Sequence, residues 1–320
     1  MKVSVVVPVY NASRYVREAV DSVLQQSEVG EIILVEDGSR DNSLDVCRAI
    51  SAANPRVKLI THPDNQNRGA SVSRNVGIDA ATMPYVAFLD ADDFYLPNRF
   101  VQTKRLFSCN KNTHVIFESI GTHYENDEAR RQYETIRGPI TTGMHEEVPQ
   151  DKVFESMQPL GRYGHCSLVG LTMRRDAIPN GLRFDVGLPI GEDTAFILKL
   201  AASLKVAIGD RSNIVAKRRV HASNHFASYA GSERRWRLQL QLWLSVYRWL
   251  ARNPSQQRHR EILLNKMIWQ AANSYMPETR PSMAGVRIFL PRILQAIAAE
   301  PRLLTERRFL IRSLRQGLAS

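Results

Sequence analysis

Cysteine is scarce in this 320-residue chain: Cys47, Cys109 and Cys166 are odd in number and far apart. That excludes a C-x-x-C site and a disulfide framework, and the reading is three reduced thiols, at least two of them in the core. No uninterrupted apolar run approaches the roughly 20 residues of a bilayer-spanning helix. The chain opens Met1-Lys2-Val3 straight into a strand without an apolar targeting segment, so a cytosolic protein is expected. Neither G-x-G-x-x-G nor G-x-x-x-x-G-K-[ST] occurs, which excludes a dinucleotide fingerprint and a P-loop. A phosphorylated ligand would then be neutralised by a metal and arginines rather than cradled by a glycine loop. H-E-x-x-H is also missing, and His123, His145, Glu146 and Glu147 read as part of a solvated, mobile loop over residues 121–150. Acidic residues thin out late in the chain. Residues 1–200 hold 22 Lys/Arg and 26 Asp/Glu, whereas residues 201–320 hold 21 and 6. The net charge of +11 therefore belongs to the last 120 residues.

What is present has the composition of a soluble globular protein, 43% hydrophobic and 23% charged. Short β-branched or apolar runs at 3–7, 32–35, 57–60 and 85–89 read as strands buried on both faces. Between them Val16, Ala19, Val20, Val23 and Leu24, and then Val46, Ala49, Ile50 and Ala53, fall at helical spacing. Alternation of strand and helix with short connections predicts a parallel sheet of βαβ units. Later strands are expected at 114–117, 167–175 and 205–208, with a helix from about 194. From Trp236 the pattern is helical, with Trp236, Leu240, Trp243, Tyr247 and Leu250 on one face and Arg234, Arg237, Gln241 and Arg248 on another.

The strands end in polar residues at one edge of that sheet: Pro8-Val9-Tyr10-Asn11, Glu36-Asp37-Gly38-Ser39 and Asp90-Ala91-Asp92-Asp93. Three carboxylates within four residues raise one another's pKa unless a cation lies among them, and an all-oxygen set suits Mg²⁺ or Mn²⁺. Read alone, the stretch is equally an acidic turn in water. Asp37-Gly38 is likewise a common turn pair, Asp41 a common helix cap, and Arg74 a common solvated helix residue.

Taken in order, Val3-Ser4-Val5-Val6-Val7-Pro8-Val9-Tyr10-Asn11, Val35-Glu36-Asp37-Gly38-Ser39, Asn67-x-Gly69-Ala70-Ser71-x-Ser73-Arg74-Asn75-x-Gly77 and Asp90-Ala91-Asp92-Asp93 resemble the motifs of family 2 inverting glycosyltransferases of the GT-A fold. The resemblance runs over about the first 100 residues. It implies a nucleotide-diphosphate sugar donor, UDP-linked, with Asp37 at the base, Pro8 and Tyr10 lining the nucleoside pocket and Arg74 helping to hold the nucleotide. Asp90 and Asp92 become the D-x-D pair around Ala91, with Asp92 the direct ligand of a divalent cation, Mn²⁺ or Mg²⁺. Further on, Gly191-Glu192-Asp193-Thr194 resembles the family's E-D pair, whose Asp is the general base. Asp193 would sit in a first helical turn, where the dipole and free N–H groups favour its anion. Lys217-Arg218-Arg219-Val220-His221 resembles the segment beside the diphosphate, although Ala216-Lys217 replaces the usual Tyr, so only Arg219 and His221 carry over.

The resemblance thus implies a GT-A, Rossmann-like α/β catalytic domain over residues 1–225, split near residue 100 into nucleotide-sugar and acceptor halves, with a basic helical extension at 226–320. Processive relatives carry Q-x-x-R-W and membrane helices; Ser232-Glu233-Arg234-Arg235-Trp236 lacks the Gln, which points to transfer of a single sugar. The expected acceptor is a saccharide, lipid-linked, in bacterial exopolysaccharide, capsule or lipopolysaccharide synthesis. An anionic membrane surface is a further expected partner at the inner face of the cytoplasmic membrane. Leu310, Ile311, Leu314 and Leu318 line one side of a final helix and Arg308, Arg312 and Arg315 the other, with Arg307 intruding. Two other classes compete. A sugar-nucleotide nucleotidyltransferase should open with a Gly-rich loop, which is missing. A nucleic-acid-binding protein would explain the basic tail, but the acidic sheet edge repels a polyanion, so no nucleic acid is expected.

Overall fold

A computed structural model describes residues 1–137, 141–221, 232–273, 283–306 and 308–313. The β-branched runs become strands of a seven-stranded sheet ordered β3-β2-β1-β4-β8-β6-β9. These are β1 (Val3–Val9), β2 (Val29–Glu36), β3 (Val57–Thr61), β4 (Tyr85–Phe88), β6 (Val115–Phe117), β8 (Leu171–Arg174) and β9 (Val206–Ile208). The first four are parallel, with Val5 opposite Ile32 and Ala87. Helices α1 (Val16–Leu24), α2 (Ser43–Ala53) and α3 (Ala70–Ala80) make the crossovers, so the strand ends predicted to converge do share one edge. Val5, Val7, Val16, Val20, Ile32 and Leu34 are buried in one core cluster, which removes roughly 1.5–3 kcal/mol of apolar exposure per side chain. The sheet turns antiparallel only at β8, which pairs with β4 and β6.

A second sheet of three strands, β5 (Phe94–Tyr95), β10 (Ala216–Val220) and β7 (Gly121–Tyr124), lies just beyond the acidic turn. Here the structure departs from the sequence reading. The segment expected as a solvated loop from residue 121 holds β7, which pairs with β10 about a hundred residues later, and α5 (Asp127–Arg137), which buries Ala129 and Tyr133. Four half-polar residues carry no period-2 signal, so their partner decides them. The strand expected over 167–175 is cut to β8 because Leu168 and Leu171 close a turn, and a Cβ on Gly170 would stand 2.1 Å from the Glu118 carbonyl oxygen. Helices α4 (Val101–Cys109) and α6 (Val153–Ser156) complete this part of the chain. Cys47 is buried; burial pushes the half-buried Cys166 thiol up to about 12; Cys109 is exposed.

The chain divides into two compact units, Met1–Val186 with Ser203–Asn224, and Gly187–Ala202 with His225–Ser320. The second contains α7 (Glu192–Ser203) up to Ala202, α8 (Ser232–Leu250), α9 (Gln257–Asn273) and α10 (Met283–Ala299). The apolar face read from the sequence, from Trp236 to Leu250, is buried. Trp243 Nε1 donates to Gln270 at 2.6 Å and Trp236 Nε1 to Gln295 at 3.1 Å, so both indoles keep a partner inside. After α10, Phe309 is buried, Arg308 pairs with Glu261 and Arg312 bonds Asn265. Arg307, Leu314, Arg315 and Leu318 lie outside the described residues. No helix among the described residues is long and apolar enough to cross a membrane.

Candidate active site

Each parallel strand of the first unit delivers a polar loop to one edge, and side chains lock these loops together. After β2, Glu36 accepts the N–H groups of Gly38 at 3.1 Å and Ser39 at 2.7 Å, closing the turn on itself. Gly38 has φ +66°, and a Cβ there would meet the Asn65 carbonyl oxygen at 2.5 Å, so only glycine fits. Asn11, after β1, accepts from Arg40 N at 2.8 Å and donates its own N–H to Ser39 Oγ at 3.0 Å. Asp41 receives Ser13 N and Ser43 N, which ties α1 to the start of α2. Asp37 is almost wholly buried. Its oxygens accept the Arg68 and Gly69 amides at 2.6 and 2.9 Å, and His62 Nε2 lies 3.3 Å away. Pro8 is half-buried and Tyr10 is exposed, so their faces are open at this edge.

The acidic turn follows β4. Arg74, buried on α3, donates Nη2 to Asp90 Oδ1 at 2.7 Å and lies over the Phe184 ring. The Ala91 methyl is in the core, which leaves only its backbone at the surface of the turn. Asp93 is buried and accepts the Arg219 amide at 2.8 Å. Its carboxyl is held well above the usual carboxylate range by burial and by the charges of Asp92 and Asp90. Asp92 is raised by the same two causes, burial first and then Asp90, against the opposing pull of His221. His221 Nε2 stands 3.1 Å from Asp92 Oδ2, and its ring stacks on Tyr15 at 4.9 Å.

Arg219 serves the turn rather than open space. Its Nε donates to the Asp92 carbonyl at 3.0 Å, Nη2 pairs with Glu18 at 2.6 Å, and the guanidinium lies between the rings of Tyr15 and Phe94. Tyr15 and Glu18, on or just before α1, were not singled out from the sequence. The pairing of β10 with β5 and β7 brings Arg219 to them.

The structure therefore brings Pro8, Tyr10, Asp37, Arg74, Asp90, Asp92, Arg219 and His221 together at one edge of the first unit. Asp193 belongs to the second unit. There it opens α7 after Gly191, whose φ is +78°, and its Oδ1 accepts Thr194 N at 2.6 Å. Of the histidines in the 121–150 segment, His123 packs edge-on against Phe94, and the His145 backbone N–H bonds the Tyr163 carbonyl. A cavity of ≈ 560 Å³ lined by Tyr85, Lys104, Lys111, Arg174 and Arg175 opens at the opposite edge of the sheet and contains none of these residues.

Among the described residues no three His, Cys, Asp or Glu side chains come together as a group that could hold a metal ion. The two partly exposed carboxylates, Asp90 and Asp92, nevertheless suit a cation that takes its remaining ligands from phosphate and water, as Mg²⁺ does beside nucleotides.

The sequence profile described as Glycosyl transferase family 2 matches residues 4–176. Glycosyltransferase GlyG of Streptococcus pneumoniae is 38% identical over 128 residues, 40% of this chain and 40% of that protein, so the match spans less than half of that relative. TarS residues 1–349 of S. aureus in complex with UDP-GlcNAc superposes with a TM-score of 0.65 at 18% identity, covering 93% of this chain and 81% of that one. Mannosyltransferase PcManGT of Pyrobaculum calidifontis, in complex with GDP-Man and Mn²⁺, gives 0.52 at 15% identity over 99% and 87%. At such identities these two likenesses speak for the fold.

Proposed function

Because the chain belongs to glycosyl transferase family 2, we propose that it moves a single sugar, with inversion, from a UDP-linked donor to a saccharide hydroxyl. The observation that carries this is the turn of Asp90 and Asp92 at the carboxyl ends of parallel strands, with Arg74 and His221 bound to it. Carboxylates would repel a diphosphate unless a cation lay between them, and here cationic or neutral donors stand on both sides of the acids. The TarS complex with UDP-GlcNAc is consistent with a UDP donor, and the PcManGT complex with a divalent cation.

In this reading Asp92 and Asp90 would hold Mn²⁺ or Mg²⁺, which when bound supplies positive charge to the departing diphosphate, and His221 steadies Asp92 beside it. Arg74 fixes Asp90. Arg219 fixes the Asp92 carbonyl and the Asp93 carboxylate, which makes it a positioning residue rather than a direct phosphate ligand. Asp37 receives the base, and Pro8, Tyr10 and the backbone of Ala91 border the nucleotide sugar. Asp193 takes the proton from the acceptor hydroxyl as that oxygen attacks the anomeric carbon. The catalytic part extends over residues 1–225. The acceptor is a lipid-linked saccharide of a bacterial surface polysaccharide, and the basic C-terminal region rests on anionic membrane at the inner face.

The test is release of UDP from a panel of UDP-sugars in the presence of lipid-linked acceptors. Acceptor-dependent UDP supports the reading. Pyrophosphate as the product would instead identify a nucleotidyltransferase.

A further inference from the structure

Asp37 sits in a closed setting. An ionised carboxylate offers about four acceptor positions. The Arg68 amide takes one on Oδ1 and the Gly69 amide one on Oδ2, and His62 Nε2 faces Oδ1 at 3.3 Å. Among the described residues one further position on each oxygen takes no hydrogen bond, and His62 Nε2 stands on the Oδ1 side. Leaving a buried acceptor open is unfavourable unless a ligand supplies the donor.

His62 comes from the loop after β3 and is itself buried. Its Nε2 also lies 2.9 Å from Ser73 Oγ, a fully buried hydroxyl on α3. Both contacts use the same ring nitrogen. A Ser–His–Asp proton relay needs the two different nitrogens and an accessible hydroxyl, so nucleophilic catalysis is excluded here. What remains is orientation. With its proton on Nε2 the ring bonds the hydroxyl at 2.9 Å and keeps the positive edge of that N–H toward the carboxylate 3.3 Å away. The other tautomer would aim a lone pair at an anion.

We infer that His62, held by Ser73, is a positioning residue for Asp37: it fixes the carboxylate so that its open Oδ2 position meets a ring N–H of the nucleotide base. The inference rests on the proposed role of Asp37 at the base. It makes His62 a determinant of base selectivity, favouring uracil, which carries a proton on N3, over cytosine, whose N3 is a bare acceptor.

The experiment is calorimetry of UDP and CDP with the full chain and four variants. His62→Leu weakens UDP about tenfold, the loss of one polar contact to a charged group, and leaves CDP unchanged, so the preference collapses. His62→Gln offers an amide N–H near the position of Nε2 and keeps UDP affinity within about threefold. Ser73→Ala shifts the UDP to CDP ratio in the same direction by less, and it carries the test if His62→Leu does not fold. A ratio equal to that of the native chain in both His62→Leu and Ser73→Ala overturns the inference, as does a parallel loss of both nucleotides. Asp37→Ala separates the two levels: unchanged UDP binding removes the role of Asp37 itself, whereas loss there with no effect at His62 removes only the role of His62.

Discussion

At the scale of single residues, the division of labour follows from what each side chain already touches. Arg219, read from the sequence as a phosphate neighbour, has Nε on the Asp92 carbonyl, Nη2 on Glu18 and its guanidinium over two rings, contacts that hold the turn. Asp193 is different, because its carboxylate stands in the first turn of α7, where Oδ1 accepts from the N–H and the hydroxyl of the neighbouring Thr194. Replacement of Asp193 by Asn keeps the shape and removes the base. UDP affinity should persist while transfer falls by about 10²–10⁴-fold, both measured on one preparation. Turnover near the native rate would remove Asp193 from the mechanism.

At the scale of elements, two polar clusters inside the first unit link the sheet to its helices. Glu31 on β2 accepts from Lys58 at 2.5 Å, from Ser4 at 2.6 Å and from Thr82 N at 2.6 Å. Burial alone would raise its carboxyl, but these hydrogen bonds outweigh burial and bring it from 4.5 down to about 2. A depressed carboxyl contributes stability that is present above its unfolded value and is lost as pH falls toward its folded one. Native stability should therefore drop by on the order of 2 kcal/mol between about pH 4.5 and 2 through this group. Glu31→Gln should flatten that part of the urea-midpoint profile, and an unchanged slope would contradict the assignment. Arg99, fully buried, bonds Glu118, the Leu171 carbonyl and Thr172, joining the start of α4 to β6 and β8. Arg99→Leu leaves Glu118 buried without its cation and should cost about 3–5 kcal/mol in denaturant unfolding; a loss under 1 kcal/mol would mean that Thr103 and water suffice for Glu118.

Much of this level was legible beforehand. The four parallel strands showed as apolar runs because both their faces are buried, and α8 showed its face because Trp236, Leu240, Trp243, Tyr247 and Leu250 keep helical spacing over four turns. The motifs at the strand ends located the acidic turn for the same reason, since a parallel sheet gathers those ends at one edge. The small sheet was not legible. β5 has two residues and β7 four, and each is a strand only because β10 lies beside it. Hidden with it were Tyr15 and Glu18, and the contact of His62 with Asp37 depends on a loop conformation that no periodicity encodes.

At the scale of the whole molecule, charge is the feature that composition made plain. The excess of 21 Lys/Arg over 6 Asp/Glu in residues 201–320 would draw the chain to anionic lipid, at about 1 kcal/mol for each basic residue near the surface. The described part of the tail moderates this, since Arg308 and Arg312 engage Glu261 and Asn265 while Trp269, Leu290, Leu294 and Ile311 are exposed. Sedimentation with vesicles should show binding that rises with phosphatidylserine content and falls with salt. Equal binding to neutral vesicles, or none to either, would contradict attachment through anionic lipid.

The central claim is that the turn of Asp90 and Asp92 is a nucleotide-diphosphate site that works through a divalent cation. Calorimetric titration of UDP tests it most directly, with Mn²⁺ and with chelator, on the native chain and on Asp92→Ala. The account predicts binding to the native chain that requires Mn²⁺, and a loss of at least about tenfold in the variant, whose remaining affinity ignores the metal. Equal UDP affinity with metal, with chelator and in Asp92→Ala would contradict it.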